Sequence, residues 1–288
     1  MKTKRGWTPT TDDLAGFRTV QRLAYDGAEA VTADLTPGTT ERQAARRLRE
    51  WLVDHGVEDW FHLPFAWFGD RTAFRNFRTP LAFFPTDRRL EEGMPFILDC
   101  APVAGGYTAD IGYAGCLGDN PTLDLLLDDL AAHRRLILER VRERRKLRDI
   151  YDDVTREMTR QGHENRHQVY PARVIAHQVF KLRPGRSRAT VAGFGVRSLR
   201  ALGRTVAVAR TQGWSPLWAD RWFSNHPPVP GLWAVEPHLG FRDVGAKFEE
   251  LLVVTDDDAY WLDDDLPHVR RWAAPAASAD EARAATTT

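Results

Sequence analysis

Two pairs of acids lie inside apolar, strand-like runs that fold back on themselves at glycines, and nothing else in the chain restricts its fold as strongly. The run Pro95-Phe96-Ile97-Leu98-Asp99-Cys100-Ala101 leads to Ala104-Gly105-Gly106 and returns through Tyr107 to Tyr113, carrying Asp110. An apolar run, a glycine turn and a second run read as a β-hairpin. With Val103 opposite Gly106 around a two-residue turn, Asp99 stands opposite Asp110, their Cβ atoms about 4.5–5.5 Å apart on one face. The pattern recurs where Leu232 to Glu236 enters a loop bounded by Gly240 and Gly245, and Phe248 to Thr255 returns. Counting outward from Leu239 opposite Ala246 sets Glu236 opposite Glu249.

Like charges facing one another weaken a strand pair, and burying them costs several kcal/mol each unless something compensates. Divalent cations compensate well. The alternative is that one acid of each pair is protonated or meets an arginine, of which the chain has many. Two pairs in matching register favour metal.

These residues resemble the pita-bread metalloenzymes, the family of methionine aminopeptidase, Xaa-Pro aminopeptidase and creatinase. That family carries two aspartate ligands eleven positions apart across a glycine-containing hairpin, the spacing of Asp99 and Asp110. Its last ligand is a glutamate leading into a Val-Val-Thr strand, matched by Glu249 ahead of Val253-Val254-Thr255, and its fourth lies at a Glu-Pro step, matched by Glu236-Pro237. The histidine ligand follows a small residue, as His177 follows Ala176, and Thr36-Pro37-Gly38-Thr39 is similar to the family's Pro-Gly-Thr turn. The likeness runs from about residue 12 to about residue 263. It implies an α/β (α+β) pita-bread fold, an antiparallel sheet with helices on its outer face and a dinuclear metal site at its centre.

By the same resemblance Asp110 and Glu249 bridge two divalent ions, Asp99 binds one, and His177 with Glu236 binds the other. Oxygen-rich coordination with one imidazole suits Mn(II), Fe(II), Co(II) or Zn(II). The chemistry implied is attack of a metal-activated hydroxide on an amide carbonyl, with Glu236 relaying a proton to the leaving amine. The family's second histidine, seven positions beyond the ligand, is Pro184 here, and Gln178 stands where a glycine is usual. Either His62, His226 or His238 then supplies the missing donor or the enzyme does not cleave ordinary peptides efficiently, and His62 resembles the family's pocket histidine. Trp218, Trp222 and His226, in an aromatic stretch just before Glu236, are expected at the substrate pocket or in loop packing over the core.

The leading reading is an aminopeptidase-type hydrolase acting on a small-molecule or short-peptide substrate. A creatinase-like amidine or amide hydrolase, a biosynthetic enzyme using redox-active iron or manganese, and a non-catalytic binding protein remain open. The resemblance also leaves room for a homodimer.

Composition agrees. At 288 residues and 43% hydrophobic the chain can bury a large core, and 40 basic against 40 acidic residues give no field for nucleic acid or an anionic membrane. No apolar run approaches the roughly 20 residues of a membrane span, and a cytoplasmic protein is expected. Residues 1–11 read as a flexible arm, 12–272 as one catalytic domain and 273–288 as a disordered tail. Helices are expected over 12–35, 40–55 and within 121–161, and strands near 60–67, 81–84, 96–101 and 107–114. Cys100 and Cys116 read as reduced thiols.

His163-Glu164-Asn165-Arg166-His167 satisfies His-Glu-x-x-His, which binds zinc only from a helix. Gly162 before it and Pro171 after it leave little helix, so the match reads as coincidence.

Overall fold

Two threonines start the first two helices. Thr10 accepts from Asp13 N and donates its own N–H back to the Asp13 carboxylate, opening α1 (Thr11–Ala33). Thr40 and Gln43 do the same for α2 (Glu41–Asp54), closing a capping box. The computed structural model describes residues 6–183 and 189–274. Position 184, residues 1–5 of the expected arm and residues 275–288 of the expected tail lie outside the described residues. Within the remainder of that arm, Trp7 meets Phe17 edge-on at 5.8 Å.

The strands β1 (Asp59–Phe68), β2 (Pro95–Ala104), β3 (Tyr107–Thr108) and β4 (Ile111–Cys116) follow. The 81–84 stretch is a 3-10 turn, not a strand: Pro80 at its first position cannot donate to a ladder, and Leu81 is exposed. The expected 107–114 strand breaks between β3 and β4 at Ala109-Asp110. The hairpin turns on Gly105-Gly106, both at positive φ, so Ala104 pairs with Tyr107 and Asp99 with Gly112. Asp99 therefore does not stand opposite Asp110. The register differs by two from the expected one, which leaves both acids on one face.

Helices α3 (Pro121–Arg142) and α4 (Leu147–Arg160) come next, then β5 (Glu164–Asn165), β6 (Val174–Val179), β7 (Thr190–Val191), β8 (Phe194–Gly195) and α5 (Val196–Thr211). The chain closes with β9 (Leu217–Ala219), β10 (Gly231–Val235), β11 (His238–Phe241), β12 (Val244–Lys247), β13 (Glu250–Val254), β14 (Ala259–Trp261) and a helix over 267–274. That last helix enters the expected tail by two residues. Leu239 pairs with Ala246, as the sequence predicts, and Val235 with Glu250, so one register runs through both ladders and sets Glu236 level with Glu249.

One antiparallel sheet runs β3-β2-β1-β8-β7 with β4 also on β2, a second runs β14-β13-β10-β6-β9, and a third runs β12-β11-β5. Ala24, Ala28, Leu48 and Leu52 of α1 and α2 cover the first sheet through Phe68, Phe96 and Leu98. Leu126, Leu130, Ile150 and Val154 of α3 and α4 cover the second through Trp218, Trp233 and Leu252. An isolated bridge between Gly112 and Glu249 joins the first and second sheets. Helix α1 secures it: the Tyr25 hydroxyl donates to Glu249 O at 2.7 Å, and Gln21 Oε1 accepts from Leu251 N at 2.7 Å. Both cysteines are free, Cys100 buried and Cys116 half-buried. Among the described residues no helix is long and apolar enough to cross a membrane.

Candidate metal centre

The acids converge where the sheets meet. Asp99 sits mid-strand on β2, Asp110 in the break after β3, Glu236 just past β10 and Glu249 just before β13, all buried. His62 lies on β1 between two register shifts, and such bulges re-aim a side chain. Its Nε2 is 3.1 Å from Asp110 Oδ1 and 3.3 Å from Asp99 Oδ1. His177, from β6, brings its Nε2 to 3.0 Å from Asp110 Oδ2. The Nδ1 atoms of the two histidines donate to the carbonyls of Leu63 and Gln178, which aims each Nε2 at Asp110. Phe65 stacks on His62 and Phe61 on His177, fixing both rings.

Burial works against protonation of His62, but the Asp110 charge and hydrogen bond, helped by Asp99, lift its pKa to about 9. His177 is raised too, burial being outweighed by Asp110. Burial would raise the Asp110 carboxyl, yet the two imidazoles hold it well below the usual carboxylate range. Glu236 is lifted to about 7 by burial, with Lys247 opposing and Asp99 assisting. Glu249 is pushed up by burial and by Asp110.

Lys247, which the sequence reading missed, stands among these acids. Its Nζ donates to Asp99 Oδ2 at 2.5 Å, Glu236 Oε2 at 2.7 Å and Glu249 Oε2 at 3.1 Å. The compensating cation foreseen as an arginine is in part this lysine. The available signal was Lys247-Phe248-Glu249, since residues two apart on an extended segment share a face.

Among the described residues three groups of donors could hold an ion, the ligand atoms within each lying within 4.8 Å of one another: His62, Asp99 and Asp110; Asp110, His177 and Glu249; Asp99, Glu236 and Glu249. Imidazole nitrogen with carboxylate oxygen in the first two suits a divalent first-row metal. The third already surrounds an ammonium.

Other expected site residues are elsewhere. Trp218 is a core residue: it pairs with Ala176, so Leu217 rather than Trp218 shares the face of His177, and its indole donates to Leu147 O. Trp222, 74% exposed, and His226 line a cavity of about 610 Å³ whose walls include Trp214, Phe223 and Arg210 but none of the four carboxylates. His226 accepts from Ser215 N and meets Pro227 O. His238 turns its Nε2 to Thr72 O and its Nδ1 to the Tyr170 hydroxyl rather than to one of the four carboxylates. The His-Glu-x-x-His segment is a short strand and a 3-10 turn, with His163 on Asp129 of α3 and His167 on Val174 O and His238 N.

The family model for metallopeptidase family M24 matches residues 15–256. The chain belongs to this family. M24 relatives among solved structures include X-Pro aminopeptidase from Thermotoga maritima, at 14% identity and TM-score 0.64 over 91% of this chain and 63% of that one. Prolidase from Pyrococcus furiosus gives 14% and 0.63, covering 88% and 64%, and methionine aminopeptidase from Rickettsia prowazekii gives 15% and 0.61, covering 89% and 98%. The chain thus spans less than two thirds of the first two and nearly all of the third. Curated protein sequences yield no match. The M24 likeness makes the architecture the pita-bread fold.

One consequence of this M24 site concerns acid stability. His167 is buried as a neutral ring, and burial, with the Lys247 charge, lowers its pKa to about 3. An unfolded histidine titrates near 6.5. The folded pKa is the depressed one, so this contribution to stability is complete above about 6.5 and is lost as pH falls toward 3. His62 and His177, whose folded pKa values are raised, have the opposite sign, so only a comparison of variants isolates His167. Between about pH 6.5 and 4.5 the urea midpoint of His167→Gln should fall less steeply than that of the unsubstituted chain. Equal slopes would remove His167 from the account.

Proposed function

We propose that the chain is a metal-dependent hydrolase of amide bonds in short peptides or small amides, with Asp110 at the centre of its active site. The observation that carries this reading is the placement of Asp110 between His62 and His177 in a buried cluster with Asp99, Glu236 and Glu249. Membership in a metallopeptidase family supports it. So do the peptidase names of the structural relatives, an X-Pro aminopeptidase, a prolidase and a methionine aminopeptidase.

The groups that would hold metal are Asp110, His177 and Glu249, while Asp99 and Glu236 accept from the Lys247 ammonium beside them. A divalent ion bound there supplies Lewis acidity, polarising a carbonyl and lowering the pKa of water. Glu236, lifted to about 7, is suited to take a proton from the attacking water and deliver it to the departing amine. His62 orients the Asp110 carboxylate through its Nε2, its Nδ1–H being held by the Leu63 carbonyl. The family resemblance implies two ions; an ammonium among three of the four carboxylates stands against the second.

A narrower reading, a specialised small-amide or amidine hydrolase, is favoured by Gln178 and by Pro184, which offers no side-chain donor. Metal-loaded protein assayed on Met-, Ala- and Xaa-Pro-peptides beside small amides and amidines separates the two. A kcat/KM in the usual range of about 10⁴–10⁸ M⁻¹s⁻¹ on any peptide establishes an aminopeptidase. Turnover confined to small amides or amidines selects the narrower reading, and none on any substrate removes both.

A further inference from the structure

Lys247 is built into the centre. Its side chain is 1% exposed, and the three N–H donors of its ammonium match one oxygen from each of Asp99, Glu236 and Glu249. The stem needs the glycine opposite Asp99: a Cβ on Gly112 would lie 2.1 Å from Lys247 Cε. The Tyr170 ring lies over the ammonium, its centroid 5.9 Å from Nζ.

The same three residues form one of the donor groups able to hold an ion. A divalent ion there would compete with the ammonium for the same carboxylates and be repelled by it at close range. Asp110 receives no hydrogen bond from Lys247, and both its oxygens face imidazoles. The group formed by Asp110, His177 and Glu249 shares only Glu249 with the lysine's partners.

We propose that the Lys247 ammonium is a permanent cation in one half of the centre, so that the protein holds a single divalent ion, at Asp110, His177 and Glu249. The inference rests on the metal-dependent reading above and fixes how many ions serve it. A carbon–carbon stem carries this charge, so chelation cannot remove it.

Metal analysis of full-length protein equilibrated with Mn(II), together with its electron paramagnetic resonance spectrum, tests this without reference to activity. The unsubstituted chain should retain one Mn(II) per chain with the spectrum of an isolated ion. Lys247→Met should double the content to two and introduce a spin-coupled signal. Asp99→Asn should keep the single ion, and His177→Ala should lose it. Two coupled ions in the unsubstituted chain, or one in a folded Lys247→Met protein, would overturn the inference while leaving metal dependence intact. An unsubstituted chain that holds no ion overturns the metal-dependent reading itself. Should Lys247→Met fail to fold, Asp99→Asn decides, since losing its ion would place the metal among the lysine's own partners.

Discussion

Asp110→Asn should lose its metal and its hydrolytic activity together. The substitution keeps the size of the side chain but removes the charge that draws two buried imidazoles to one carboxylate, at 3.1 and 3.0 Å. An amide retains one acceptor oxygen, so at most one of the two histidines keeps its bond to residue 110; His62 then has only Asp99 Oδ1 at 3.3 Å to fall back on, and His177 Nε2 has no second carboxylate bond. The fall in kcat/KM should exceed the ~10²–10³ that loss of a single charge-stabilising donor costs, because affinity for the ion and the orientation of His62 fail at once. Metal content and single-turnover rate measured on one preparation check this. A variant that retained both ion and rate would move the centre away from Asp110.

The largest expected effect on stability lies away from the site, at Glu41. This carboxylate, fully buried at the start of α2, accepts from Phe68 N at 2.9 Å, Arg71 Nε at 2.8 Å, and Thr86 N and Oγ1 at 2.7 Å each. It joins the helix to the end of β1 and to the segment leading into β2. Glu41→Ala leaves the Arg71 guanidinium without its carboxylate and two backbone donors unsatisfied, and such a half-broken buried pair costs about 3–5 kcal/mol. Urea unfolding of the variant should show that loss with little change in m-value. A loss below about 1 kcal/mol would be that of an exposed pair and would contradict the observed burial.

The two hairpins show what the sequence disclosed and what it withheld. In the second, Phe241 and Val244 close a tight turn, and Leu239 opposite Ala246 follows from counting, which carries correctly to Glu236 and Glu249. In the first, three small residues, Ala104-Gly105-Gly106, allow more than one placement of the turn, and the chain uses the pair in which both central residues take positive φ. The pairing moved by two, yet the alternation of side chains kept Asp99 and Asp110 on one face, so the cluster could be read although its register could not. Lys247 could not be read in this way. A lysine in a short strand ordinarily marks a solvent edge, and only the bridge from Gly112 to Glu249, between positions far apart in sequence, turns it inward. Trp218 takes the packing place rather than the pocket place that the sequence left open, because proximity to Glu236 in sequence says nothing about which face of β9 it occupies.

That bridge also bears on how the protein is made. His62, Asp99 and Asp110 are synthesised within the first 116 residues, whereas His177, Glu236, Lys247 and Glu249 come from strands that follow α4. A nascent chain that has made only β1 to β4 carries Asp99 and Asp110 with no lysine beside them, and contacts of such long sequence separation form slowly. An ion captured at that stage would have only Asp110 of its three ligands Asp110, His177 and Glu249. Closure of the seam at Glu249 brings the last of the clustered acids into place, so on the reading proposed here metal uptake waits until the chain has been made through Glu249.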